Sequence, residues 1–248
     1  RAVPAGDRLW FRLVCRSWAL AGAGAAQAAG GGLPPRKVTR TRGPDAAASV
    51  KRVCEVLMRV TEESALGRKF TGSLCRYAAQ GGHLGVLQWA RARGHPWDHR
   101  TCSSAARSGH LGVLMWARAQ GCCWDETTCD GAAEFGHLAV LQWARAQGCP
   151  WSTWTCYLAA QNGHLVVFQW ARAHGCPWDK LTCAKAAANG HLAVVQWARA
   201  EGCFWDEETC EEAASNGHLA VLQWARAQGC PWNKKTCAGA AANGHLAV

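Results

Sequence analysis

The chain has 248 residues, of which 49% are hydrophobic and 18% charged, and a formal net charge of +10. That is the composition of a folded chain long enough to bury a core. No run of about 18 uninterrupted apolar residues occurs, so no membrane-spanning helix is indicated.

The positive charge is uneven. Residues 1–70 hold 13 Lys/Arg against 5 Asp/Glu, whereas residues 71–248 hold 14 against 12. Basicity therefore belongs to the first segment. Residues 1–21 include "RLWFRLVCRSWALA" (Arg8–Ala21), which reads as an amphipathic helix. Residues 22–48 are rich in Gly, Ala and Pro and end in the basic run "PPRKVTRTRGP" (Pro34–Pro44). This reads as a flexible linker. A patch of one sign can also attract nucleic acid or an acidic partner, but a solvated basic linker is the plainer reading.

From residue 71 onward a period of 27 governs the chain. His83, His110, His137, His164, His191, His218 and His245 each follow a glycine at that step. Trp89, Trp116, Trp143, Trp170, Trp197 and Trp224 keep the same register, as do Cys75, Cys102, Cys129, Cys156, Cys183, Cys210 and Cys237. A fixed period of 20–50 residues marks a solenoid or another repeat array. Six complete units run from Thr71 to Trp232, and a partial seventh from Asn233 to Val248. Residues 49–70 keep Gly67 and Phe70 in register but place Glu62 in the tryptophan slot. They read as a degenerate N-terminal cap repeat, as a solenoid end requires. The chain begins at Arg1 without methionine and stops inside "NGHLAV", the pattern of a fragment.

Each unit predicts two helices. In the unit Asp125–Trp151, Asp125 is an N-cap whose side chain can accept from free N–H groups of the first turn. Asp98, Ser152, Asp179, Asp206 and Asn233 occupy the same place. Cys129, Ala132 and Ala133, spaced i, i+3, i+4, predict the buried stripe of the first helix. Gly136 ends that helix in a left-handed C-cap. The second helix runs from about His137 to Gln147, with Leu138, Val140, Leu141, Trp143 and Ala144 as its apolar face. Gly148 closes it, and Cys149, Pro150 and Trp151 lead to the next cap, since proline cannot continue a helix.

These residues resemble ankyrin repeats. "TCDGAAEFGHLAVLQWARAQGC" (Thr128–Cys149) follows that family's TPLH-like start, paired alanines, Gly-His-Leu, aliphatic helix and terminal Gly-Ala. In this alignment Cys129 takes the leucine slot and Cys149 the final alanine slot. The period is 27 rather than 33. The missing residues fall where ankyrins build a β-hairpin finger. The resemblance thus implies an all-α helix-turn-helix solenoid of ankyrin-like repeats with reduced or absent hairpins. It covers residues 50–248 and implies a protein-binding role. Separately, "VCRSW" (Val14–Trp18) resembles the close of an F-box, which would imply docking to a Skp-type adaptor of a cullin–RING ubiquitin ligase.

The chemistry-rich letters read as packing. Cys149 and Cys156 have six residues between them (C-x6-C), unlike the C-x2-4-C pairs of structural zinc sites, and one cysteine per slot per repeat cannot chelate a single ion. Buried free cysteines are the expectation, with a metal or disulfides as alternatives, and the implied compartment is reducing, cytoplasmic or nuclear. The Gly-His histidines are expected to hydrogen-bond a neighbouring loop. No nucleophile–base set and no phosphate-binding loop stands out, so neither catalysis nor a cofactor is indicated. Tryptophans are expected to fill volume between thin repeats, although an aromatic ladder for stacking bases is an alternative. Arg91, Arg118, Arg145, Arg172, Arg199 and Arg226 read as a solvated helix-2 face.

Positions that vary between units cluster on the first helix, opposite the Cys-Ala-Ala stripe. They include His99, Arg100, Arg107, Glu126, Asp130, Trp154, Tyr157, Leu158, Lys180, Lys185, Glu208, Glu212 and Lys235. Trp154, Tyr157 and Leu158 are apolar on a face meant for water, and charged repeats flank them. An aromatic centre with a charged rim is how many interfaces are built. The expected function is non-enzymatic protein–protein interaction through this stripe by a monomeric array. Substrate recognition for a ubiquitin ligase is the alternative, and basic nucleic-acid binding a weaker one.

Overall fold

A computed structural model describes residues 74–245. The segments 1–21, 22–48 and 49–70, and with them the F-box-like pentapeptide, lie outside the described residues. The chain divides into two compact units, Arg1–Pro96 and Trp97–Val248. Among the described residues every regular element is an α-helix.

In the first unit, α1 (Leu74–Gln80) packs on α2 (Leu84–Ala92). Cys75, Ala78 and Ala79 meet Val86, Leu87 and Ala90 in its core. The second unit holds α3 (His99–Arg107), α4 (Leu111–Ala119), α5 (Glu126–Glu134), α6 (Leu138–Ala146), α7 (Thr153–Gln161) and α8 (Leu165–Ala173). It continues with α9 (Lys180–Ala188), α10 (Leu192–Ala200), α11 (Glu207–Ser215), α12 (Leu219–Ala227) and α13 (Lys234–Ala242). Within this unit α3, α5, α7, α9, α11 and α13 stack in a continuous row, and each of them up to α11 packs on the even-numbered helix that follows it. This is a helical solenoid.

Local chemistry sets the nine-residue helix length. The Asp125 carboxylate accepts from Thr127 N–H at 3.1 Å and holds the start of α5. Ser152, Asp179 and Asn233 do the same for α7, α9 and α13. There the threonine at the third helical position also accepts from the cap N–H, closing a capping box. Gly136, with φ +75°, stops α5. His137 N–H reaches back to Ala132 C=O at 2.8 Å and Gly136 N–H to Ala133 C=O at 3.3 Å, a Schellman motif. Gly148, at φ +78°, repeats the device after α6 through Cys149 N–H and Ala144 C=O at 2.9 Å.

The core follows the predicted stripe of the first helix, while on the second helix Leu138 and Trp143 are only half-buried. Cys129, Ala132 and Ala133 of α5 and Val140, Leu141 and Ala144 of α6 are buried. Small side chains on the first helix let the two backbones approach, and the larger aliphatics of the second fill the gap. Thr128 and its equivalents Thr101, Thr155, Thr182 and Thr209 are also buried. Thr155 Oγ1 donates to Asp130 Oδ1 of the preceding repeat at 2.6 Å, whereas Thr128 Oγ1 has no hydrogen-bond partner among the described residues. The latter is a desolvated hydroxyl that costs the fold rather than helping it.

Candidate protein-docking face

The conserved-looking letters of the repeat are consumed by packing. His137 Nε2 hydrogen-bonds Arg107 C=O at 3.1 Å, and His164 Nε2 bonds Glu134 C=O at 3.1 Å. Each ring thus clips its repeat to the end of the preceding first helix, 30 residues earlier. The loop cysteine closes its own unit, with Cys149 Sγ donating to the Asp125 cap carbonyl at 3.4 Å. Cys129 also hydrogen-bonds Cys149. That contact and burial push the Cys129 thiol far up, so it stays protonated and unreactive. Among the described residues no three His, Cys, Asp or Glu side chains converge where they could hold a metal ion.

The seam itself is aromatic. Trp151 meets Trp170 of the next unit edge-on at 6.1 Å, and Trp124 meets Trp143 at 5.9 Å. The repeated arginine, read in the sequence as a solvated helix-2 face, is half-buried at Arg91, Arg118, Arg145 and Arg172 and exposed at Arg199 and Arg226, and it also has a structural engagement. Arg145 lies over the Trp151 ring at 4.0 Å and donates to Cys149 C=O. Arg118 does the same with Trp124 and Cys122 C=O. It therefore ties down the carbonyl that the Gly148-type turn leaves open. The signal was present in the constant spacing of Arg145, Cys149 and Trp151, but a one-sided surface reading of helix 2 hides it.

What remains for a partner is the exposed side of the first-helix row, where the variable residues stand. The structure does not gather them at one point; it spreads them over successive repeats and links several across the repeat boundary. Arg107 pairs with Glu134 at 2.5 Å, Lys180 with Asp206 at 2.7 Å and Lys185 with Glu212 at 2.6 Å. His99 approaches Asp125 at 3.7 Å. Such solvent-accessible pairs, with Lys185–Glu212 the half-buried one, add little stability one by one, but they fix the register of charge along the face. Arg100, Glu126, Glu208 and Lys235 sit in the first turns of α3, α5, α11 and α13.

Part of the stripe is not open to solvent. Ser104 and Gly131, at the seventh position of their units, are buried, and Leu158, Lys185 and Glu212 are half-buried there. A Cβ on Gly131 would stand 2.4 Å from Arg107 Cγ. The seventh position is therefore a seam to the preceding repeat. The open positions lie beside it. At the centre Trp154 is 57% exposed and meets the half-buried Tyr157 edge-on at 4.9 Å.

Asp130 stands beside this pair's repeat boundary. Burial raises its pKa to about 6, against the opposing hydrogen bond from Thr155, and the like charges of Glu126, Asp125 and Glu134 raise it further. The folded state therefore holds this proton more tightly than the unfolded chain. Its contribution favours folding below the ordinary carboxylate range and is lost as pH rises through about 6. Asp130→Asn keeps an acceptor for Thr155. The variant is expected to melt above wild type at about pH 7.5, with the difference vanishing toward about pH 4 in a thermal series. A gap that is constant with pH would show that the carboxylate is not strained.

No protein-family model matches the chain, and no curated protein matches it. Among solved structures, the crystal structure of the human ASB11 ankyrin repeat domain is similar, with a TM-score of 0.54 and 16% sequence identity. The match covers 63% of this chain and 84% of that one. At this identity the likeness concerns the fold: an ankyrin-type α-solenoid, reached here with a shorter repeat and without strands among the described residues.

Proposed function

We propose that the chain is a non-enzymatic protein-interaction module whose partner docks on the exposed side of the first-helix row, anchored by Trp154 and Tyr157. The observation that carries this reading is the Trp154 ring. A large apolar side chain 57% exposed on a helix whose other flanks are packed costs free energy unless something covers it. The edge-on contact with Tyr157 holds it in one orientation, so little entropy is lost when it is covered. The paired charges on either side supply a polar rim. The fold supports the general class, since ankyrin-type arrays present their surfaces to protein partners.

Trp154→Ala with Tyr157→Ala is expected to reduce recovery of an identified partner at least tenfold, with the far-ultraviolet circular dichroism unchanged. Both side chains extend from the packed core, so the array keeps its helices. Undiminished recovery would reject this face.

A second reading adds docking to a Skp-type adaptor through Val14–Trp18, on the strength of the "VCRSW" pentapeptide. Recovery of such an adaptor by the full chain, lost on deletion of residues 1–21, is the expected result; equal recovery by both would end this reading. The thirteen free cysteines of the described residues fit a reducing compartment. No described helix is long and apolar enough to cross a membrane.

A further inference from the structure

The even-numbered helices cover one side of the first-helix row, and among the described residues no element covers the other. Charge on that open side is strongly one-signed through the middle of the array. From Asp125 to Ser215 the caps and first helices hold ten carboxylates and two lysines. Both lysines are already engaged, Lys180 by Asp206 and Lys185 by Glu212. The repeat's constant arginines stand apart from this side: Arg145, Arg172 and Arg199 belong to the even-numbered helices that cover the opposite side, where they lie over loop tryptophans.

Nine of the ten carboxylates fall in two groups with Trp154 between them, and the tenth, Asp179, caps α9 between Trp154 and the second group. The Asp125–Glu134 group precedes it by one repeat, and the like-charge crowding there already acts on Asp130. The Asp206–Glu212 group follows two repeats later and lines a cleft with Ser215, Asn233 and Lys235. Trp154 has no guanidinium of its own chain over its ring among the described residues. Elsewhere the same molecule shows an arginine over an indole face: Arg145 over the half-buried Trp151 at 4.0 Å and Arg226 over the exposed Trp232 at 4.0 Å.

Resting on the docking face argued above, we infer that the partner presents an extended lysine- and arginine-rich segment. One of its cations or apolar side chains covers Trp154, and flanking cations meet the carboxylates of α5 on one side and of α11 on the other. Repeats pack about 10 Å apart, so three repeat intervals span about 30 Å. About nine or ten extended residues cover that distance at about 3.3 Å each. Electrostatic complementarity of this kind governs selectivity and association rate, and it weakens as salt rises.

The test uses the full chain and fluorescein-labelled decapeptides of alternating arginine and glycine, and of alternating glutamate and glycine, in fluorescence anisotropy. The arginine peptide is expected to bind at low salt at least tenfold more tightly than the glutamate peptide. Reversing Glu207→Lys, Glu208→Lys and Glu211→Lys together should weaken it at least tenfold, and Trp154→Ala should weaken it several-fold. Equal binding of the two peptides, or no effect of the reversal, overturns the inference. If that happens while partner recovery still depends on Trp154 and Tyr157, the docking face stands and only its basic occupant is wrong. This chain's own Pro34–Pro44 segment is the competing occupant. Arg36→Gln, Lys37→Gln, Arg40→Gln and Arg42→Gln together should leave the peptide's affinity within twofold. A gain of tenfold or more would assign the face to that segment instead and overturn the inference.

Discussion

Gly136→Ala is expected to destabilise the array by about 3 kcal/mol, and Gly148→Ala by only about 1 kcal/mol, although both glycines sit in turns of the same type at nearly the same φ, +75° and +78°. The shared part of the cost is the left-handed conformation, about 1–2 kcal/mol for a residue with a Cβ. The difference comes from what the Cβ would meet. At Gly148 there is nothing within 4 Å. At Gly136 it would stand 2.7 Å from His164 Nδ1 and 2.8 Å from His164 Cε1. The imidazole must leave, and its hydrogen bond to Glu134 C=O at 3.1 Å goes with it, a further loss of about 1 kcal/mol or more. Urea unfolding followed by circular dichroism measures both variants. Adding His164→Ala to Gly136→Ala should cost less than the sum of the two, because the ring that clashes is already gone. Additive costs, or equal costs at the two glycines, would show that the histidine does not seat on the turn. The loss falls on a repeat boundary, so the transition should also broaden as neighbouring repeats unfold less cooperatively.

This contrast marks how far the letters could be read. The Asp/Ser/Asn caps, the two glycine stops and the Cys129–Ala132–Ala133 stripe are all local. Each follows from the geometry of one helix or one turn, so a single repeat suffices to read them. What one repeat cannot disclose is the distance and rotation to the next. The seventh position of the unit, on the first helix, looks like solvent-facing variation within its own unit. It is a seam, because the stacking rotation brings Arg107 of one repeat against Gly131 of the next. The same rotation buries part of Leu158 and leaves Trp154 in the open, though four residues on one helix separate them. Arg145 eluded the reading for a different reason. Its aliphatic stem and planar head serve a loop carbonyl and an indole at once, so an exposed helix position became a structural one.

Phe168→Ala is expected to be the most damaging core truncation, at about 3–5 kcal/mol. The slot it fills in α8 holds leucine in α2, α4, α6 and α12 and valine in α10. Phe168 is buried completely and heads the fully buried side chains by volume. Its ring also reaches beyond its own helix pair. It lies 5.6 Å from Trp178 and, edge-on, 5.1 Å from Trp197 of the next unit, and each such aromatic pair adds about 0.5–1.5 kcal/mol beyond area. Phe168→Leu restores the side chain used in other units and should cost about 1–2 kcal/mol, since only the outer part of the ring and its edge contacts are lost. The ratio between the two variants is read from urea midpoints at unchanged slope. Equal costs would mean that the ring's reach to Trp197 contributes nothing and that burial alone sets the effect. The position of this slot also constrains how the docking face can be tested. Phe168 belongs to the same unit as Trp154 and Tyr157, and a solenoid repeat is stable only through its neighbours. A cavity there would loosen the platform that holds the aromatic pair and lower partner recovery without touching the face. Loss of binding in a core variant therefore carries no information about docking. The surface substitutions at Trp154 and Tyr157 are informative because the Cys156, Ala159 and Ala160 stripe beneath them stays intact.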